Sequence, residues 1–124
     1  FTTSVFCAEL LWKRSQLTQK DIQSAEIYDA FTPLVITGLE DYGFCKRGEG
    51  GPFTENGRIE IGGALPVLTS GGGLSEAYVH GFNLLLEGVR QIRGTSVNQV
   101  PDCKATLVTG ASGVATSAVV FRAA

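Results

Sequence analysis

Residues 25–35 read AEIYDAFTPLV, an apolar run that breaks at Tyr28-Asp29 and resumes as a helix-capable stretch. The first four residues have the composition of a short buried strand, which we expect over 25–28. Phe31, Leu34, Val35, Leu39 and Tyr42 then recur at helical spacing, predicting a helix from Phe31 to Tyr42. Pro33 fits its first turn, where a missing N–H costs little, and Gly43 supplies a stop. A strand feeding a helix in this way is the building unit of layered α/β domains. The joint places a phenol and a carboxylate at a strand end, where such sheets gather their ligands.

The pattern extends outward from that joint in both directions. Residues 4–16, SVFCAELLWKRSQ, are good helix formers with an N-cap available at Thr3 or Ser4. FCKRGEGGPFTENG, residues 44–57, reads as a loop. RIEIGGALPV, residues 58–67, is strand-like with a Gly-Gly interruption. Across 74–93, Leu74, Ala77, Tyr78, Gly81, Leu85, Val89 and Ile92 trace one face of an amphipathic helix, with Glu76, Glu87, Arg90 and Arg93 mostly elsewhere. After the loop GTSVNQVPD, the segments KATLVTG and SAVVFRA read as two final strands. The expected fold is an α/β domain, layered, with a mixed sheet flanked by helices.

A chain of 124 residues with 44% hydrophobic and 18% charged residues describes one globular domain with a real core. A net charge of −2 and the lack of a basic block argue against nucleic-acid binding. No apolar run is long enough to span a membrane, and FTTSVFCAELLWKR has no signal-peptide order. Cys7, Cys45 and Cys103 form no CxxC. With His80 as the only histidine they suggest no metal set, so reduced thiols in a cytoplasmic protein are expected. A chain that starts at Phe1 and contains no Met reads as a processed product or a piece of something longer.

Three segments are candidates for chemistry: Tyr28-Asp29, the run Thr69-Ser70-Gly71-Gly72-Gly73 before the long helix, and Thr109-Gly110-Ala111-Ser112-Gly113 between the last strands. Sixteen glycines, largely clustered, serve either as turns or as loops gathered at one edge. Glycines leading into a helix present backbone N–H groups suited to a phosphate or an oxyanion, or simply start a helix. His80, one turn beyond Glu76, reads as an exposed pair with it. Tyr28 and Tyr78 border glycine-rich turns, and a phenol there can transfer a proton or pack. There is no GxxxxGK[ST], GxGxxG or GxSxG.

Taken together, AEIYDAFTPLVITGLEDYGFCKRGEGGPF, GGALPVLTSGGGLSEAYVHGFNLLLEGVRQIRG and TLVTGASG, in that order from about residue 4 to the end, resemble the C-terminal domain of thiolase-fold proteins. More narrowly, they resemble the lipid-transfer-protein branch that includes the steroid side-chain aldolases. The resemblance implies that residues 1–124 are a thiolase-like C-terminal domain whose N-terminal half is absent. In degradative thiolases the matching motifs are NEAFA, an element ending in GHP, and a Cys before glycines. Here Tyr28-Asp29-Ala30-Phe31-Thr32, Thr69-Ser70 and Val108-Thr109 stand in those places. The thiolase Cys, His and Asn are all replaced, so ordinary thiolase chemistry is not expected. The aldolase branch carries a Tyr in YDAF and another after TSGG, which Tyr28 and Tyr78 match. Its Asn before Thr-Ser is Leu68 in this chain.

The resemblance therefore implies retro-aldol cleavage of a steroid-type or branched β-hydroxyacyl-CoA into a ketone and a shortened acyl-CoA. Tyr78 is expected to move the proton and Tyr28 to be its partner or an enolate-side donor. Asp29, Thr69, Ser70, Gly71, Gly72 and Gly110 are the candidate substrate-binding residues. Asp29 either orients Tyr28 or caps the helix that follows. No metal and no cofactor is expected, the coenzyme A thioester being substrate. A homodimer and an OB-fold acyl-CoA-associated partner protein are the implied partners. A non-catalytic acyl-CoA or lipid-binding protein on the same fold is the alternative.

Overall fold

The computed structural model describes residues 2–111 and 116–124. Ser112 and Gly113 of the last glycine cluster lie outside them. Helix α1 (Ser4–Ser15) ends on Gln16 in the left-handed region and, after a single 3-10 turn at Gln19–Asp21, leads to β1 (Ser24–Glu26). Helix α2 (Thr32–Asp41) carries Pro33 in its first turn, as its sequence requires. The short α3 (Gly50–Phe53) and α4 (Gly72–Ser75) precede α5 (Phe82–Arg93), and β2 (Ala105–Thr109) and β3 (Ala118–Arg122) follow.

The strands pair in the order β1-β2-β3, β1 parallel and β3 antiparallel to β2, with Ala25 opposite Leu107 and Leu107 opposite Val120. This is a mixed sheet, and its two faces differ sharply because side chains alternate along a strand. Ala25, Ile27, Ala105 and Leu107 join Ala8 of α1, Leu39 of α2 and Tyr42 at the end of α2 in one apolar core. The residues between them, Ser24, Glu26, Thr106 and Val108, point the other way, toward α5. That second face is largely polar. Ser24 Oγ lies 2.6 Å from Thr106 Oγ1, and Glu26 and Thr106 are completely buried. Burial there depends on hydrogen bonds rather than on apolar area.

Two sequence expectations fail. Residues 58–67 form turns, not a strand: Leu65 N–H bonds back to Arg58 O and Val67 N–H to Ile59 O, doubling the segment on itself around Gly62-Gly63. Only its end reaches the sheet, through a parallel bridge between Val67 and Ala25. The helix expected over 74–93 is broken between α4 and α5. Glu76 is extended, His80 has φ 54° and Gly81 φ 85°. The apolar face drawn through Leu74, Ala77, Tyr78 and Gly81 therefore does not exist as one face, and Leu74 and Tyr78 are exposed. Among the described residues no helix is long and apolar enough to cross a membrane.

Helix α5 lies so close to the sheet that a Cβ at Gly88 would stand 2.5 Å from Val108 Cγ2 and 3.1 Å from Phe121 Cδ2. Gly88→Ala should therefore destabilise the chain by about 1–3 kcal/mol through overpacking, despite the better helix propensity of Ala. Urea denaturation checks this, and an unchanged or raised midpoint would show that the helix–sheet contact yields freely.

Candidate functional site

The junction at Tyr28 sits two residues beyond β1. Its backbone N–H donates to Thr109 Oγ1 at 2.9 Å, which ties it to the end of β2. Its side chain reaches into the break between α4 and α5, where the Tyr28 and Tyr78 phenol oxygens are 2.5 Å apart. The rings meet edge to face with centroids 6.3 Å apart, and Tyr78 meets His80 the same way at 5.3 Å. Close approach explains Gly81: a Cβ there would stand 3.0 Å from Tyr28 Cδ2, at a φ that already favours glycine. The contact with Tyr78 holds the Tyr28 hydroxyl up at about 12, burial and the nearby charges adding to it. At neutral pH Tyr28 is therefore a phenol able to donate.

Asp29 is buried and neither turns toward its own tyrosine nor caps α2. Its carboxylate accepts the Gly73 N–H at 2.8 Å and the Leu74 N–H at 3.2 Å. The N–H groups expected to be open to an anion in the glycine run are thus partly satisfied from within. Gly72 has φ 70°, and a Cβ there would overlap the Asp29 carboxylate. Ser70 Oγ donates to Glu76 Oε2 at 2.9 Å, and Asn83 Nδ2 donates to the same oxygen at 3.0 Å. Glu76 so fixes the start of the turn that carries Tyr78, instead of pairing with His80.

Behind this turn is a network that the sequence reading missed. Thr69, 2% exposed, has its hydroxyl 2.8 Å from Glu26 Oε1 and 2.6 Å from Glu87 Oε1. Its N–H donates to Glu26 Oε2 at 3.2 Å. Gln91 Nε2 contacts Thr69 Oγ1 and Glu87 Oε1, and Asn98 Nδ2 donates to the Thr69 carbonyl at 2.7 Å. Burial is the main force on Glu26 and pushes its carboxyl up to about 8; the Thr69 hydrogen bonds oppose this only in part, and Glu87 and Glu76 add to the rise. The one available signal was Glu26 itself, a carboxylate inside an otherwise buried strand.

A cavity of about 310 Å³ lies next to the tyrosine turn without either tyrosine in its wall; His80, Phe82, Leu85, Thr109, Gly110 and Ser117 are among the residues that line it. It shares His80, Gly81 and Thr109 with the surroundings of Tyr28 and Tyr78. Thr69 and Ser70 line a different, polar cavity of about 490 Å³ with Glu76, Glu87 and Asn98. The structure thus brings Tyr28, Tyr78, Asp29, Gly72 and Gly73 together and puts Gly110 at the adjoining cavity. Thr69 and Ser70 are held on the far side by the carboxylates. Among the described residues no cluster of His, Cys, Asp and Glu is arranged to hold a metal, and the three cysteines are free thiols.

The raised Glu26 carboxyl has a consequence for stability. Unfolded, it loses its proton near the ordinary value of 4.5; folded, it keeps the proton to about 8. Between those values the folded state binds more protons, so this group's contribution to stability falls as pH rises through that window. Denaturation midpoints from pH 5 to 8, compared between the chain and Glu26→Gln, should show that decline in the former only; parallel curves would contradict it.

Residues 6–121 match the family described as thiolase C-terminal domain-like. Over 90% of its length the chain is 52% identical to the 17-hydroxy-3-oxo-4-pregnene-20-carboxyl-CoA lyase of Mycobacterium tuberculosis, covering 29% of that protein. It is 51% identical over 91% of its length to the steroid side-chain-cleaving aldolase of Thermomonospora curvata, again covering 29%. It is 31% identical to the non-specific lipid-transfer protein-like 2 of Caenorhabditis elegans over 81% of its length, covering 25% of that protein. A solved structure described as an Ltp2-ChsH2(DUF35) aldolase superimposes with a TM-score of 0.94 at 48% identity, over 97% of this chain and 31% of that one. The chain therefore spans less than a third of the length of these relatives.

Proposed function

This chain belongs to the thiolase C-terminal domain-like family, and from that premise we propose that it supplies the tyrosine pair of a thiolase-fold retro-aldolase. The substrate class is a steroid-type or branched β-hydroxyacyl-CoA, cleaved to a ketone and a shortened acyl-CoA. The observation that carries this reading is the 2.5 Å contact between the Tyr28 and Tyr78 hydroxyls beside an apolar-walled cavity. The similarity to two proteins described as a lyase and an aldolase of this kind, at 52% and 51% identity, supports it over a lipid-binding role.

Retro-aldol cleavage needs the β-hydroxyl proton removed as the bond between the α and β carbons breaks. The electron pair of that bond moves onto the thioester carbonyl as an enolate, which then takes up a proton at the α carbon. Two phenols sharing one hydrogen bond suit this demand. Tyr78, nearly half exposed, is placed to accept the substrate proton as its phenolate, a form that Tyr28, a phenol at neutral pH, stabilises by donating to it; the Tyr78 phenol so formed can then return the proton to the α carbon. In this scheme Asp29 acts at one remove: its carboxylate holds Gly73 and Leu74, and with them the approach to Tyr78. Gly110 borders the cavity in which the acyl chain would lie. The Thr69 and Ser70 hydroxyls are engaged by Glu26, Glu87 and Glu76, so with Gly71 and Gly72 these residues shape the turn.

The thioester is the substrate, and the chemistry calls on no cofactor or metal. We place the chain in a cytoplasmic thiolase-fold homodimer working with an OB-fold partner. A structural neighbour described as an aldolase of two named components supports a partner of some kind.

In a complete thiolase-fold enzyme that carries this chain, Tyr78→Phe and Tyr28→Phe should each lower kcat by about 10²–10⁴-fold. The double variant should be little worse than either single one, because groups acting as a unit are not additive. Binding of the CoA ester should persist. Full turnover in both single variants would exclude the mechanism, and an unmutated enzyme that binds the ester without cleaving it would establish the binding role instead.

A further inference from the structure

The polar layer under α5 contains more acceptors than its hydrogens can serve. Thr69 Oγ1 has two carboxyl oxygens within hydrogen-bond distance, Glu26 Oε1 at 2.8 Å and Glu87 Oε1 at 2.6 Å. A hydroxyl carries one hydrogen, so it can serve only one of them. The other oxygen–oxygen contact needs a hydrogen from the carboxyl itself. Gln91 cannot supply it: Val100 N–H donates to Gln91 Oε1, which fixes the amide orientation, and Gln91 Nε2 faces Thr69 Oγ1 as a further donor.

The surroundings decide which carboxyl is the acid. Glu87 Oε1 also receives Ser96 Oγ–H at 2.5 Å and Gln91 Nε2–H at 3.1 Å, and Arg90 stands 4.0 Å from Glu87 Oε2. That is a site for an anion. Glu26 is fully buried, and among the described residues its carboxyl meets only Thr69, through the hydroxyl and the backbone N–H. The charged or titratable groups around it are Glu87 of α5, Glu76 of the turn and Cys103 near β2, all neutral or negative.

We infer that Glu26 is a neutral carboxylic acid donating to Thr69, that Thr69 donates in turn to an ionised Glu87, and that this one-proton relay positions residues 69–73. The relay joins β1, the glycine run and α5 through one side chain. Loss of the Glu26 proton leaves two anions competing for a single hydroxyl hydrogen and loosens the run that Asp29 holds from its other end. Glu26 is accordingly a positioning residue, acting on the tyrosine pair through the backbone from Thr69 to Leu74. The inference concerns a protonation state and stands whether or not the retro-aldol reading holds.

Infrared spectroscopy of the chain with isotope-labelled glutamate tests it directly. One glutamic-acid carbonyl band should persist above about pH 6, where ordinary glutamates are ionised. It should vanish in Glu26→Gln and remain in Glu87→Gln. Amide exchange gives the positioning readout. In the unmutated chain, protection at Thr69, Gly73 and Leu74 should fall as the acid band is titrated away. In Glu26→Gln, whose amide can still donate to Thr69, it should not follow pH beyond the intrinsic rate. Glu87→Gln, which weakens the acceptor, should raise loop opening about tenfold. The absence of any acid band above about pH 6 in the unmutated chain, or its loss in Glu87→Gln alone, would overturn the assignment. PH-dependent protection retained in Glu26→Gln would overturn the positioning role.

Discussion

Thr69 is the point at which the sheet, the glycine run and α5 are tied to one another. Its hydroxyl lies between Glu26 of β1 and Glu87 of α5, its N–H binds Glu26 again, and its carbonyl is held by Asn98. Burying two carboxyls is costly unless their hydrogen bonds are complete, so this centre tolerates little displacement. The run from Thr69 to Leu74 is held at one end by Glu26 and at the other by the Asp29 carboxylate, three residues along the chain from Glu26. The position of the Tyr78 turn follows from both attachments and from the grip of Glu76 on Ser70 and Asn83.

The sheet divides the labour. One face carries the apolar core formed with α1 and α2, and the other carries the polar layer under α5. The apolar face supplies burial. The polar face makes the α5 side directional, because hydrogen bonds specify a register that apolar packing alone leaves looser. Tyr28 lies just past β1 and is pinned to Thr109 at the end of β2, so the phenol pair stands at the strand ends where the two faces meet. A reactive pair placed there draws rigidity from the sheet and access from the neighbouring cavity.

The sequence showed the fold wherever the pattern was local. Helix α1 had a run of good helix formers, helix α2 had apolar residues at helical spacing between Pro33 and Gly43, and the last two strands were short segments joined by a small-residue turn. It misled where distant groups decided the backbone. RIEI alternates like a strand, but Gly62-Gly63 lets the chain turn back on itself. The 74–93 helix had a consistent apolar face, yet hydrogen bonds from Ser70 and Asn83 to Glu76, with left-handed His80 and Gly81, broke it. Glu87 looked like a solvated charge because nothing near it in sequence shows that Glu26 and Thr69 will cover it. Tyr28 and Tyr78 were singled out from their borders on glycine-rich turns and matched as a pair through the family resemblance; their hydroxyl contact required the three-dimensional arrangement.

The central claim is that these two phenols behave as one hydrogen-bonded unit. Carbon-13 NMR of ring-labelled tyrosine, assigned by substitution and followed through alkaline pH, measures it most directly. Tyr28 should titrate near 12 in the unmutated chain and return toward the ordinary 10 in Tyr78→Phe, since the Tyr78 hydroxyl is the largest cause of the rise. A Tyr28 that titrates near 10 in both chains would contradict the account.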